Sequence, residues 1–85
     1  MLEIFDEIER RIRKAGYLGE INGRQFYFDI SDEAENKEEG TYMFIIKKSD
    51  IISYEGCMDI MDKQFDLHYV DICVGDLRYH VDFDK

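Results

Sequence analysis

DLHYVDICVGDLRYHVDFD, residues Asp66 to Asp84, alternates apolar and polar side chains on both sides of Gly75-Asp76. That alternation is the mark of a half-buried β-hairpin. Glycine at the first turn position suits a two-residue type II′ turn, because it accepts φ > 0. The turn pairs Val74 with Leu77, Ile72 with Tyr79, Val70 with Val81 and His68 with Phe83 on one face. Cys73–Arg78, Asp71–His80 and Tyr69–Asp82 fall on the other, since side chains alternate along a strand. A one-residue slip would exchange the two faces, so the clean split supports this register. One face is therefore core and the other polar.

Upstream, residues 57–65 (CMDIMDKQF) carry both helical and alternating spacings, and the following hairpin favours a strand. Glu55-Gly56 reads as a turn, residues 51–54 as extended chain and Lys48-Ser49-Asp50 as a turn or a bulge. Residues 41–47 (TYMFIIK) are apolar on both faces around Phe44–Ile46, which predicts a central strand. Residues 31–40 (SDEAENKEEG) hold nothing apolar larger than alanine and predict a mobile acidic loop. In residues 17–30 (YLGEINGRQFYFDI), Asn22-Gly23 predicts a second hairpin closed by a type I′ turn. Its one face would carry Tyr17, Ile21, Phe26, Phe28 and Ile30, its other Leu18, Glu20, Gln25, Tyr27 and Asp29.

Residues 2–15 (LEIFDEIERRIRKA) form an amphipathic helix with Leu2, Phe5, Ile8, Ile12 and Ala15 in one stripe. Acids lead and bases close it, as the helix dipole favours. Asp6–Arg10, Glu7–Arg11 and Glu9–Arg13 are spaced as i,i+4 pairs, and Gly16 suits the position after the helix. The expected fold is α+β over one domain, residues 1–85. An N-terminal helix covers one face of a mainly antiparallel sheet of five or six strands, a meander of hairpins.

Eighty-five residues with a net charge of −9 bound the function. Such a charge repels nucleic acid and anionic lipid alike. No apolar run reaches the roughly 20 residues of a membrane span. The acidic N-terminus has no signal-peptide character, and two cysteines make no disulfide framework. A cytoplasmic protein with Cys57 and Cys73 reduced is expected.

The sequence holds no phosphate-binding loop and no Gly-x-Ser-x-Gly. Cys73, His80 and Asp71 share the outer hairpin face and sketch a nucleophilic dyad, with Arg78 beside the thiol to lower its pKa. A flat sheet face supplies no oxyanion hole, and ordinary cross-strand contacts account for the three residues. His68 and His80 fall on opposite faces in this register, so they share no metal, and His68 packs at the core edge. Asp59, Asp62 and Asp66 do not follow the calcium-loop pattern. Neither catalysis nor a cofactor nor a metal is expected.

What remains is charge. Residues 29–39 hold six acids and one base, and residues 50–85 nine acids and three bases, while residues 1–28 are balanced. Carboxylates interleaved with tyrosines suit a basic protein surface, the acids steering association and the rings giving contact area. The expected partner-binding residues are Asp29, Asp32, Glu33, Glu35, Glu38, Glu39, Tyr27, Tyr69, Asp71 and Asp82. The expected function is a small acidic module that inhibits or neutralises a basic nucleic-acid-handling protein by mimicking nucleic acid, as immunity and anti-defence proteins do. The alternative is a structural or regulatory subunit that forms a homodimer through its sheet.

Overall fold

The computed structural model describes residues 2–62 and 64–84. In chain order the elements are α1 (Leu2–Lys14), α2 (Gly23–Ala34), β1 (Gly40–Lys47), β2 (Ile52–Met61), β3 (Gln64–Val74) and β4 (Leu77–Asp82). The strands form an antiparallel meander in the order β1-β2-β3-β4. The α+β class and the meander follow the sequence; the strand number does not. Four strands stand where five or six were expected, because the second hairpin is a helix.

The C-terminal hairpin has the expected register from Tyr69↔Asp82 to Val74↔Leu77. Gly75 has φ +58°, as its turn requires. Val70, Ile72 and Val81 are fully buried. Each such side chain removed from water stabilises the fold by about 1.5–3 kcal/mol. They join Phe44, Tyr54, Met58 and Ile60 on one sheet face, against Ile8 and Ile12 of α1 and Phe26 and Ile30 of α2.

α1 ends as expected, with Gly16 at φ +102°. Its charged side chains look outward along the chain more than to each other. Glu7 does pair with Arg11 at 3.0 Å. Glu9 instead accepts the Gly23 N–H at 2.7 Å, and Arg13 donates to the carbonyls of Tyr17 and Gly19.

Residues 17–30 depart most from expectation. Asn22 caps α2: its side-chain oxygen accepts the Gln25 N–H at 3.0 Å, with extended backbone at φ −122° and ψ 114°. The Glu9 carboxylate completes the cap, where a negative charge suits a helix N-terminus. Gly23 is glycine for closeness. A Cβ there would strike the Phe5 carbonyl oxygen of α1. Phe26 and Ile30, four residues apart, enter the core, while Phe28 is left exposed. α2 then runs to Ala34 and takes the first residues of the expected acidic loop.

β1 is an edge strand and not a central one. Its apolar outer-face residues, Met43 and Ile45, are 71% and 69% exposed. Glu55-Gly56 makes no turn; β2 runs straight through it. Gly56 is small because the Phe44 ring and the Tyr69 carbonyl stand where its Cβ would be. Residues 57–61 and 64–65 are extended, as expected, with Lys63 outside the described residues.

Candidate partner-binding surface

Antiparallel strands place the start of β1, the end of β2, the start of β3 and the end of β4 at one end of the sheet. That end collects Glu38, Glu39, Asp59, Asp62, Asp66 and Asp84. The last turn of α2 closes on it, with Ser31, Ala34 and Glu35 beside Ile60, Gln64 and Phe65. The first half of α1 closes on it from the other side. There Glu3, Asp6 and Glu7 face Phe65, Asp66, Leu67 and Phe83 across an open groove of about 730 Å³. Ile4, Ile8 and Tyr27 complete an apolar floor, and Arg10 and Arg11 also line the groove, pairing with Glu7 at 2.7 and 3.0 Å. The opposite end of the sheet holds Lys47, Lys48 and Arg78 beside Asp50 and Asp76 of its two turns. Acidic charge is thus concentrated at one end and mixed with basic charge at the other.

Carboxylates packed this closely need local compensation. Asp59 and Asp66 sit directly opposite each other on β2 and β3, an arrangement that costs stability when uncompensated. The register shift between Cys57 and Met58 makes His68 an extra residue in β3. Such a bulge re-aims a side chain. The His68 carbonyl still accepts the Phe83 N–H at 3.0 Å, but its ring leaves the core edge. Nε2 meets Asp59 at 2.8 Å and Nδ1 meets Asp84 at 3.0 Å. The Asp84 hydrogen bond, then that of Asp59, raises the His68 pKa above 6.5. The Thr41 hydroxyl at 2.6 Å, then His68, lowers that of Asp59. The expected placement of His68 opposite Phe83 on the core face is therefore corrected by one bulge.

The expected site residues fall into three groups. Asp32, Glu35, Glu38 and Glu39 are exposed at or near the acidic end, and Glu33 is half-buried there; Glu39 accepts the Asp62 N–H at 3.1 Å. Tyr27 lines the groove, its ring 5.7 Å from Phe5 and 5.2 Å from Phe65. It lies on the other side of the sheet from Tyr69. Asp29 is held by Lys48 at 2.6 Å. Tyr69, Asp71 and Asp82 share the outer sheet face, but Asp71 is already paired with Arg78 at 2.8 Å and His80 at 2.6 Å. Glu3, Asp6, Glu7 and Asp66 join the acidic end although the sequence reading passed them over. In α1 they read as complements to the helix dipole and as i,i+4 partners of Arg10 and Arg11.

The sketched dyad is not assembled. The His80 ring goes to Asp71, while the Cys73 thiol donates to Glu55 at 3.4 Å. Burial, then the Glu55 hydrogen bond, raises the Cys73 pKa against the lowering effect of Arg78. Cys57 and Cys73 are both free. Burial pushes the Tyr54 hydroxyl up to about 12, with Asp29 and Tyr17 adding to it. Among the described residues, no three His, Cys, Asp or Glu side chains are grouped to hold a metal ion, and no helix is long and apolar enough to cross a membrane. Comparison with known families, characterised proteins and solved structures finds no match.

Proposed function

We propose that this chain is a protein-binding module that neutralises a basic, nucleic-acid-handling protein by presenting its acidic end in place of nucleic acid. One observation carries the reading: carboxylates from both helices, from β2 and β3, and from the segments just before β1 and just after β4 gather at one end, beside a groove with an apolar floor. Solubility calls for charge, but clustering it costs self-repulsion. The apolar floor would accept the hydrophobic side chains of a basic segment while the rim pairs its Lys and Arg heads. Asp71, already neutralised within the chain, is a weaker contributor than Asp32, Glu35, Glu38 and Glu39.

The test is group neutralisation. One variant carries Asp32→Asn, Glu33→Gln, Glu35→Gln, Glu38→Gln and Glu39→Gln; a second carries Asp71→Asn and Asp82→Asn. A protein captured from lysate at low salt is then purified, and its nucleic-acid binding is measured with each form of the chain added. Wild-type chain should abolish that binding. The first variant should associate more slowly and with a shallower salt dependence. Unchanged on-rate and salt slope in both variants would end this reading.

A second reading, a subunit that pairs with itself through the sheet, is favoured by the open edge of β1. That strand places Met43 and Ile45 in solvent and, among the described residues, has no strand on its outer side.

A further inference from the structure

In an antiparallel ladder, residues alternate between those that turn N–H and C=O to one neighbour and those that turn them to the other. The Lys48 N–H donates to the Ile52 carbonyl at 2.9 Å, in line with the register Lys47↔Ser53. Tyr42, Phe44 and Ile46 therefore bond to β2. Thr41, Met43, Ile45 and Lys47 point their backbone groups at the open edge. The rest of the sheet obeys the same parity. The Gly75 N–H reaches the Ile51 carbonyl at 2.8 Å, so β2 gives its odd residues to β3. Among the described residues, no backbone bond joins the outer side of β1 to another segment.

We infer that β1 pairs antiparallel with β1 of a second copy about a two-fold axis at Phe44. The inference rests on the second reading above and supplies its geometry. Only outward residues can bond across the edge, so odd positions must stand opposite odd positions. The register with Phe44 on the axis uses all four of them: Met43 opposite Ile45 of the second copy, and Thr41 opposite its Lys47, each pair twice. A slip by one residue sets outward groups against inward ones and turns the side chains to the wrong faces.

Charge favours the same arrangement. β1 is flanked by Glu38-Glu39 at its start and Lys47-Lys48 at its end. Antiparallel pairing brings the basic end of each copy to the acidic end of the other. Lys47 of the second copy lies opposite Thr41, diagonal to Glu39 and one strand from Asp59, which Thr41 already holds. Met43 and Ile45 of both copies close into one apolar row on the outer face. They adjoin Tyr69, whose hydroxyl lies 3.8 Å from the Met43 sulfur.

Sedimentation equilibrium of the full chain over a range of concentrations tests this. Wild type should be a dimer in equilibrium with monomer. Ile45→Pro removes an N–H that the fold itself does not use, a tolerated place for proline on an edge strand. It should raise the dimer Kd by about 100-fold or more and leave circular dichroism native. Glu39→Lys and Lys47→Glu should each weaken the dimer about tenfold, and the double variant should restore it. A wild-type monomer at every concentration overturns the register and the second reading together. A dimer indifferent to Ile45→Pro overturns the β1 register and moves the interface elsewhere, leaving self-association intact.

Discussion

Along β4, the residues whose backbone groups face outward are Arg78, His80 and Asp82; along β1 they are Thr41, Met43, Ile45 and Lys47. The first set is charged or ionisable throughout. Arg11 of α1 also reaches over and donates to the outward Asp82 carbonyl at 3.0 Å. The second set is longer and apolar at its centre. Charged side chains and covering elements are how sheets avoid pairing with other chains. This chain holds 31 charged residues and places one of them, Lys47, within β1. One edge is covered by charge and the other is apolar at its centre, a difference in where the charges lie and not only in how many there are.

Both edges hang on the same interior, and the largest expected effect tests that. Ile72 stands between Tyr54 of β2 and Tyr79 of β4 and is fully buried. Ile72→Asp should unfold the chain, since an unpaired buried charge costs several kcal/mol against a stability of about 5–10 kcal/mol. His80→Ala, on the exposed side of the β4 edge, should cost under about 1 kcal/mol. Urea denaturation followed by circular dichroism ranks the two, and the reverse order would mean the faces are wrongly assigned.

Next in size is the cover on β4. Arg11→Met keeps the aliphatic stem over the core but removes the bond to Asp82. It should cost about 1–2 kcal/mol. Amide exchange at Tyr79 and Val81, whose N–H groups turn towards β3, should quicken, while Tyr42, Phe44 and Ile46 of β1 keep their protection. Equal loss at both edges would mean that Arg11 supports the sheet as a whole and does not cover one side of it.

Behind β1 stands α2, joined to its end by the Asp29–Lys48 pair, and α2 depends on its cap. Asn22→Ala should cost about 1 kcal/mol and reduce helix content. Were residues 17–30 a hairpin, the helix signal would be unchanged. The two structures are hard to separate from sequence because Phe26, Phe28 and Ile30 alternate while Phe26 and Ile30 are also one helical turn apart. Asn-Gly serves as a turn or as a cap followed by a helix start. The deciding sign is Asn22 followed by Gln25 three residues later, together with two partners on α1 that no local pattern reveals, Glu9 and the Phe5 carbonyl. The C-terminal hairpin was legible because its alternation runs unbroken around one glycine. Its departure, the bulge that makes His68 an extra residue of β3 against β2, leaves no mark in the alternation of the sequence. Five of the acids at the candidate site, Asp32, Glu33, Glu35, Glu38 and Glu39, were visible as charge, but their meeting at one end follows from strand order, which depended on reading α2 correctly.

The smallest effect separates the edges by pH. His68 ties β3 to Asp59 on β2 and to Asp84 just past β4, so it fastens the β4 side directly and reaches β1 only through Asp59, which the Thr41 hydroxyl also holds. Its folded pKa is raised by the Asp84 and Asp59 hydrogen bonds, so the folded chain holds that proton more tightly than the unfolded one. The stabilisation is complete below 6.5 and is lost as pH rises through the raised value. Asp59 is shifted the other way; its contribution is present above 3.8 and is lost as pH falls through its lowered folded value. The clamp is whole only between those limits. Between about pH 6 and 8 stability should therefore fall with rising pH, and His68→Gln should flatten that slope. The ring should titrate above 6.5 by NMR, and Asp84→Asn should bring it down. The Phe83 amide, which donates to the His68 carbonyl, should lose protection over the same interval once the intrinsic pH dependence of exchange is removed. The inward amides of β1 should keep theirs. A stability profile as flat in wild type as in His68→Gln would show that the two carboxylates hold the ring without drawing on its charge.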